Sequence, residues 1–157
     1  MATNNSTNNS FPSGLSLAAG GNVLTNYNEA VSWVPIIAGS TSAGTATYTT
    51  QSGYYTRVGN MIFCSADVIW NSHTGTGNLL ITNLPFNSRN LSNYNPESIV
   101  NTINISLPGG TSRTAIGSIL TPGTNIISAF VTSNAGANTP ISISTSGEIH
   151  ITIAYLM

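Results

Sequence analysis

The sequence predicts an all-β protein, and within that class an antiparallel β-sandwich with jelly-roll-like strand order. Apolar and polar residues alternate in many segments with the period of two that an extended strand imposes, and no segment has a convincing helical period. Turn-forming residues separate these segments at short intervals, as they do in sandwich folds. Two stacked sheets in jelly-roll order would also protect the edges of so many short strands.

Composition divides the chain into two parts. Residues 1–20 are rich in Asn, Ser and Thr and predict a flexible tether. Residues 21–157 predict a single β-sandwich domain, because a chain of 157 residues is long enough to bury one real core. The predicted strands are 23–27, 30–38, 44–52, 54–58, 60–70, 78–84, 98–107, 111–120, 125–133, 141–145 and 148–156.

The clearest of these strands is 60–70. Gly59 and Asn60 tolerate left-handed or tight backbone, so they predict a hairpin turn before it, and the polar, glycine-containing residues 72–77 predict a loop after it. Even-numbered side chains of the strand are expected to face a core. These residues are Ile62, Cys64, Ala66, Val68 and Trp70.

The last predicted strand, 148–156, alternates just as clearly. Its odd positions are apolar and its even positions, which include His150 and Thr152, are more polar. One face is therefore expected to be buried and the other to be wet.

Two segments depart from alternation. Residues 33–38 (WVPIIA), and Ile126-Ile127 together with Phe130-Val131, are apolar on both parities, which indicates strands that are covered on both faces. A monomeric sandwich covers only one face of a strand. The pattern therefore predicts contact with another copy of the chain, although a strand covered by the N-terminal segment would look the same.

Charge is scarce, and this excludes several classes of partner. The chain has three arginines, four acidic residues and no lysine, for a net charge of −1, whereas ordinary globular proteins are about a quarter charged. Nucleic-acid binding needs a basic surface, so it is not expected. No apolar run approaches the about 20 residues that span a bilayer, and the N-terminus lacks the pattern of a signal peptide. We expect synthesis in a cytoplasm and export by lysis or assembly into a particle.

Cys64 is the only cysteine, so the chain has no intrachain disulfide. Its parity predicts a buried, inert thiol. A chain without such cross-links that functions outside a cell needs another stabiliser, and oligomerisation is the obvious candidate.

Catalytic and metal-binding patterns are missing from the sequence. The two histidines, His73 and His150, are expected to be exposed or to make cross-strand hydrogen bonds. The four acids are far apart along the chain, and no cluster has metal-ligand spacing. We therefore expect no enzyme activity, metal or cofactor. Arg57 is predicted to be a structural residue, partnered by Asp67 or Glu148 if an acid receives it.

Recognition of a neutral, polar ligand suits this composition better. Amide and hydroxyl side chains, interleaved with Tyr54, Trp70 and Tyr94, are the residue types that bind sugars. The longest loop, 87–96, is the first candidate for a receptor-contacting rim. Its candidate contact residues are Arg89, Asn93, Tyr94 and Asn95.

Residues 45–86 resemble the globular tip domains of bacteriophage and other viral fibre proteins, and the rest of the chain to Met157 resembles them more loosely. The features that carry the resemblance are Tyr55 and Arg57, the turn Val58-Gly59-Asn60, the long strand, the loop Gly75-Thr76-Gly77, and Leu84-Pro85-Phe86. The resemblance implies a homotrimeric knob at the end of a stalk, located on the virion, that attaches to a host receptor or glycan. Arg57, Gly59 and Trp70 are its candidate structural residues.

Three other functions fit the same residues. A decoration or cement protein of a virion would use its loops to contact other virion proteins. A small lectin outside any virus would use the same neutral surface. A hydrolase would need one of the histidines to meet a nucleophile in the folded chain.

Overall fold

The computed structural model describes residues 15–16, 23–24, 26–90, 99–106, 116–132 and 138–157. These residues form strands and loops without any helix, so the all-β class is confirmed for them. In particular, none of them forms a helix long and apolar enough to cross a membrane. The strands are β1 (Leu15–Ser16), β2 (Val23–Leu24), β3 (Tyr27–Trp33), β4 (Ile36–Gly39), β5 (Ala46–Val58), β6 (Met61–His73), β7 (Leu79–Thr82), β8 (Ile99–Ser106), β9 (Ile116–Leu120), β10 (Ile127–Thr132), β11 (Asn138–Pro140) and β12 (Gly147–Leu156).

The strands form two main antiparallel sheets. The large sheet has the order β3-β5-β6-β12-β8. The small sheet has the order β11-β10-β7-β4, and β9 also pairs with β10. Strands β1 and β2 form a separate two-stranded ladder. Buried residues of both main sheets belong to one hydrophobic cluster, which is consistent with the predicted sandwich.

The core confirms the parity that alternation predicted. The even residues from Ile62 to Trp70 on β6 are all buried, and the odd residues from Ile149 to Tyr155 on the neighbouring β12 are buried beside them. The small sheet closes the core from the opposite side. Its residues in the core cluster are Ile37, Leu79, Ile81, Ile127 and Ala129.

Strands β5 and β6 form a hairpin of two 13-residue strands, with the predicted turn at Gly59 and Asn60. Val58 pairs with Met61, so the loop has only two residues, and Gly59 has a φ of 61°. Glycine with positive φ at the first loop position is what a type II′ hairpin turn requires. Tight closure allows the two long strands to pair along almost their whole length.

The predicted break between strands 44–52 and 54–58 is wrong, because β5 runs through Gly53 without interruption. Gly53 pairs with Trp33 on one side. A Cβ atom at Gly53 would lie 2.4 Å from the Trp33 Nε1 atom. The glycine therefore makes room for an indole ring instead of ending the strand.

The predicted single strand 30–38 is also wrong, since β3 ends at Trp33 and β4 begins at Ile36 in the other sheet. Pro35 lies at the crossing, where it has no backbone N–H to add to a ladder. Gln51 Nε2 donates to the Pro35 carbonyl at 2.8 Å, and the Ile37 N–H donates to the Tyr48 hydroxyl at 2.9 Å. Side chains of β5 thus hold the chain as it changes sheets.

The strand predicted at 141–145 is wrong as well. The strand in this region is β11, and Ser142 makes only an isolated bridge with Asn78. The Ile141 N–H donates to the Ala129 carbonyl at 3.0 Å, and its carbonyl accepts from the Leu79 N–H at 2.7 Å. Ile141 therefore links β10 to β7 as the chain bends, instead of extending one ladder.

Within the predicted tether, only Leu15 and Ser16 are described, and they pair with Leu24 and Val23. The domain boundary at residue 20 stays a prediction.

Candidate functional site

The outward side chains of β3, β5, β6 and β12 form one continuous surface, which we call the outer face. Antiparallel pairing arranges it in rows, and one row holds Ser52, Asp67 and His150. The next two rows toward the hairpin turn are Tyr54 with Ser65 and Thr152, and Thr56 with Phe63 and Ala154. The face is polar at one end and apolar at the other.

The apolar half consists of Tyr27, Tyr54, Val58 and Phe63, which lie near the hairpin turn. Tyr54 and Phe63 expose 54% and 50% of their surface, and Val58 exposes 39%. Tyr27 on the edge strand β3 pairs with Val58 and exposes 57%. A groove of about 460 Å³ runs between Tyr54, Phe63 and Ala154, and none of the described residues that line it is charged.

The polar half is organised around His150. The imidazole Nδ1 contacts Asp67 Oδ1, and Nε2 lies 2.7 Å from Glu148 Oε1. An imidazolium has an N–H on both nitrogens, whereas a neutral imidazole has only one, so only the protonated ring would present an N–H to each of the two carboxylates. The Asp67 Oδ1 atom is sealed from solvent and makes no hydrogen bond of good geometry, so its contact with His150 is an ion pair when the ring is protonated.

This cluster does not form a nucleophile–base pair. A catalytic triad needs a histidine nitrogen that faces a Ser, Thr or Cys nucleophile, but both nitrogens of His150 face carboxylates. Asp67 and Glu148 flank the imidazole instead of facing each other across an open cleft. Among the described residues there is also no group of three or more His, Cys, Asp or Glu able to hold a metal. That the protein is not an enzyme stays a prediction.

The sequence placed His73 in the loop 72–77, and this prediction is wrong. His73 is the last residue of β6, and it is buried. Its Nδ1 accepts from the Gly75 N–H at 2.9 Å, so its Nε2 carries the proton and donates to the Ile37 carbonyl at 3.1 Å. The imidazole therefore ties the loop after β6 to β4. Neither ring nitrogen is free to act on a ligand.

Cys64 is buried, as its parity predicted. Burial raises the pKa of the Cys64 thiol to about 12, an effect only partly offset by a hydrogen bond with the Tyr155 side chain. Burial, and to a lesser degree the nearby thiol, also raise the pKa of the Tyr155 hydroxyl. That hydroxyl donates to the Phe86 carbonyl at 3.0 Å, so the pair ties the C-terminal strand to the loop after β7.

The raised pKa of Cys64 predicts alkaline destabilisation. Between the ordinary value of 9.0 and about 12, the unfolded chain loses the thiol proton while the folded chain keeps it. The free energy of unfolding should therefore fall as pH rises, by up to about 1.4 kcal/mol per pH unit for this one group. Denaturant unfolding at about pH 8.5 and at about pH 9.5 measures the loss before the tyrosines, whose ordinary pKa is 10.0, contribute strongly.

The matched control for this prediction is Cys64→Ala, which removes the titrating group and keeps a small apolar side chain. Its free energy of unfolding should change less over the same pH interval than that of the parent protein. Parallel pH profiles for the two proteins would contradict the assignment.

The three candidate structural residues lie in or beside the large sheet. Trp70 is buried, and its indole N–H donates to the Ser144 carbonyl at 3.0 Å, so the expectation that its ring lies on the binding surface is wrong.

The Arg57 Nε–H donates to the Gly59 carbonyl at 2.8 Å, and its guanidinium lies 5.2 Å from the centre of the Phe86 ring. The suggested partners of Arg57, the carboxylates of Asp67 and Glu148, contact His150 instead.

The predicted receptor loop is only partly described. Arg89 is exposed, and its backbone N–H donates to the Leu156 carbonyl at 2.8 Å, which anchors the start of the loop to β12. Asn93, Tyr94 and Asn95 lie outside the described residues. The role of this loop in receptor contact therefore stays a prediction.

Sequence reasoning missed the outer face as a unit. The parity of β6 already placed Phe63, Ser65 and Asp67 on one side, and the parity of the last strand did the same for His150. Which residue of β12 lies beside which residue of β6 depends on register, for which the sequence carries no short-range signal.

Comparisons with known protein families, with curated proteins and with solved structures find no match to this chain. Functional inference therefore depends on the geometry of the chain itself and on the motifs between residues 45 and 86.

Proposed function

We propose that this chain is the head domain of a virion fibre, a homotrimeric jelly-roll knob that attaches a viral or phage particle to a host surface receptor without catalysis. The motifs between Thr45 and Phe86 favour this class, and an all-β chain with two antiparallel sheets is the architecture that the class needs. Partners would be two further copies of the chain, a fibre stalk and the receptor.

The observation that carries the proposal is the apolar half of the outer face. Three large rings and one valine are exposed on one face of a chain that has seven charged residues in total. Cores of protein interfaces are enriched in aromatic residues and depleted of charge. A surface of this kind suits a protein whose work is to contact other molecules.

Strand order supports the jelly-roll part of the proposal. The chain crosses between the two main sheets after β3, β4, β6, β7, β8 and β11, so most consecutive strands lie in different sheets. The last strand, β12, returns to the middle of the large sheet between β6 and β8. Repeated crossing between two layers is typical of jelly rolls.

Attachment by a trimer would act through avidity. Three copies of a weak receptor site on one rigid head make the second and third contacts intramolecular. Affinity for a surface that displays many receptors then exceeds the affinity of one site, with no need for a strong individual contact.

Two measurements test the proposal. Light scattering after size exclusion should give a mass of three times 16.3 kDa. Binding to host cells or to a glycan panel should be lost in Tyr94→Ala and Arg89→Ala while the circular dichroism spectrum is unchanged. Asn28→Ala, an exposed polar residue on the edge strand β3, serves as the control that keeps binding.

Other results would select another class. Binding to virions but to no cell or glycan would indicate a decoration or cement protein. A monomer that binds glycans would indicate a small lectin. Ester or glycoside turnover that is lost on substitution of His73 or His150, in a variant whose circular dichroism spectrum is unchanged, would indicate a hydrolase.

A further inference from the structure

We infer that the apolar half of the outer face, formed by Tyr27, Tyr54, Val58 and Phe63, is the surface through which copies of this chain associate. The inference deepens the proposed function, because it names the subunit interface of the proposed homotrimer. It also changes the expectation from the sequence, in which the doubly apolar segments near residues 33–38 and 126–131 were the interface candidates.

Exposed area is the first reason. An aromatic side chain presents about 200 Å², and the exposed fractions of these four residues leave about 400 Å² of their surface in water, the tyrosine hydroxyls included. The largest apolar patch on a typical monomer is about 300–600 Å² and is often functional. A stable pair buries about 800 Å² on each partner, so this patch supplies about half of that area as an apolar centre, with the surrounding hydroxyl side chains as the rim.

Charge is the second reason. The charged side chains that border the apolar half contact side chains of the same chain, since His150 lies between Asp67 and Glu148, and Glu29 accepts a hydrogen bond from the Tyr27 hydroxyl at 3.0 Å. Two carboxylates beside one imidazole leave the polar half with a net negative charge, so the charge of the outer face lies outside the apolar half. No described cation extends over the groove, because Arg57 is engaged by the Gly59 carbonyl and the Phe86 ring. The apolar half therefore carries no charge of its own, and the equally uncharged apolar half of a second copy matches it.

The shape of the edge is the third reason. Among the described strands, edge strand β3 pairs only with β5, and it bulges between Asn28 and Val31, where Ala30 has a φ of 50°. Such a bulge interrupts the regular row of backbone groups and discourages a partner from adding a strand at this edge. Next to the apolar half, association through side chains of the face is therefore favoured over strand addition.

The competing surface is smaller. Val34 and Ile36 are the other exposed large apolar residues described, and they lie where the chain crosses into the small sheet. Both are aliphatic side chains, and two of them provide much less contact area than the three rings and one valine of the outer face.

A pair of substitutions with matched exposure separates the two surfaces. Phe63 exposes 50% of its surface and Val34 exposes 51%, so aspartate at either site is equally solvent-accessible in the monomer. Phe63→Asp should raise the protein concentration at which the oligomer half-dissociates by at least about 30-fold, the scale of losing one interface hot spot. Val34→Asp should leave that concentration within about threefold of the parent value.

Light scattering over a dilution series gives these concentrations, and circular dichroism checks folding. If Phe63→Asp does not fold, the double variant Tyr54→Thr/Phe63→Thr, which keeps β-forming residues, takes its place. Dissociation by Val34→Asp but not by the outer-face variants would overturn the inference. A monomeric parent protein would also overturn the inference. This includes a monomer that binds glycans through these rings.

A thiol cross-link gives an independent readout. Because Cys64 is buried with a raised pKa, Thr56→Cys would introduce the only reactive thiol on the outer face. A short bismaleimide should join copies through this residue and should fail to join them through Thr49→Cys, an exposed position farther along β5. Cross-linking at Thr49 alone would place the interface elsewhere.

Failure of this inference differs from failure of the proposed function. An oligomer that dissociates with Phe63→Asp but binds no host cell, glycan or stalk supports the interface and refutes the attachment role. A dimer that depends on Phe63 supports the interface and refutes the trimer. Host attachment by a protein whose assembly ignores the outer face refutes the interface alone.

Discussion

Replacing Trp70 with alanine is expected to lower the free energy of unfolding by about 4 kcal/mol. The indole is almost completely buried among the inward residues of β6 and the facing small sheet, and its N–H donates to the Ser144 carbonyl at 3.0 Å. Truncation removes the buried ring, leaves a cavity in a two-layer core and leaves a carbonyl without its partner. Guanidinium unfolding followed by circular dichroism measures the change.

Two variants of the same strand calibrate this prediction. Ser65→Ala changes an exposed residue on the opposite parity of β6 and should alter stability by no more than about 0.5 kcal/mol. Trp70→Phe keeps an aromatic ring but removes the indole donor, so its effect should fall between the two. A Trp70→Ala protein as stable as Ser65→Ala would mean that β6 does not face the core in the way described.

Replacing Gly44 with alanine is expected to lower the free energy of unfolding by about 3 kcal/mol. Gly44 has a φ of 67°, and a Cβ atom there would lie 2.0 Å from the Gly75 amide nitrogen. The two loops cannot separate easily, since the Thr45 N–H donates to the Thr74 hydroxyl and the Thr74 N–H donates to the Thr45 carbonyl. The substitution therefore combines backbone strain with a backbone clash.

Gly123→Ala isolates the first of these two effects. Gly123 has a similar φ of 72°, but its nearest neighbour is the Asn90 side chain at 3.2 Å, which can shift. We expect a loss of about 1 kcal/mol from strain alone. Equal losses in the two variants would show that close approach of the loops contributes nothing, and thermal or chemical unfolding of both proteins decides the matter.

The gap between sequence and structure is clearest at glycine and proline positions. Gly59 ends a strand, as expected, whereas Gly53 lies within one because the Trp33 indole occupies the space that a Cβ would fill. Pro35 divides a run of apolar residues that looked like one strand and sends its second half into the other sheet. The same residue types have different roles because the deciding contact comes from a distant part of the chain.

Prediction of the candidate site from the sequence was limited for the same reason, since contacts between distant residues build the site. Outward parity put Phe63 and Asp67 on one side of β6, but the partnership of Asp67 with His150 and Glu148 required β12 to lie next to β6 in one register. The sequence offered Arg57 as the partner of these acids, and the folded chain places its guanidinium on the Phe86 ring instead. Composition predicted contact through uncharged groups without indicating which surface holds the exposed rings.

The sequence alone determined three features of this protein: its all-β class, the two-residue turn at Gly59, and the inward side chains from Ile62 to Trp70. Each of them follows from the backbone period or from local turn chemistry. Only the tertiary structure decided which strands are neighbours, where apolar side chains stay exposed, and how His150 is paired. Strand pairing joins residues that are far apart in sequence, and its register depends on the sum of many contacts across the core. No short segment can encode such a sum by itself.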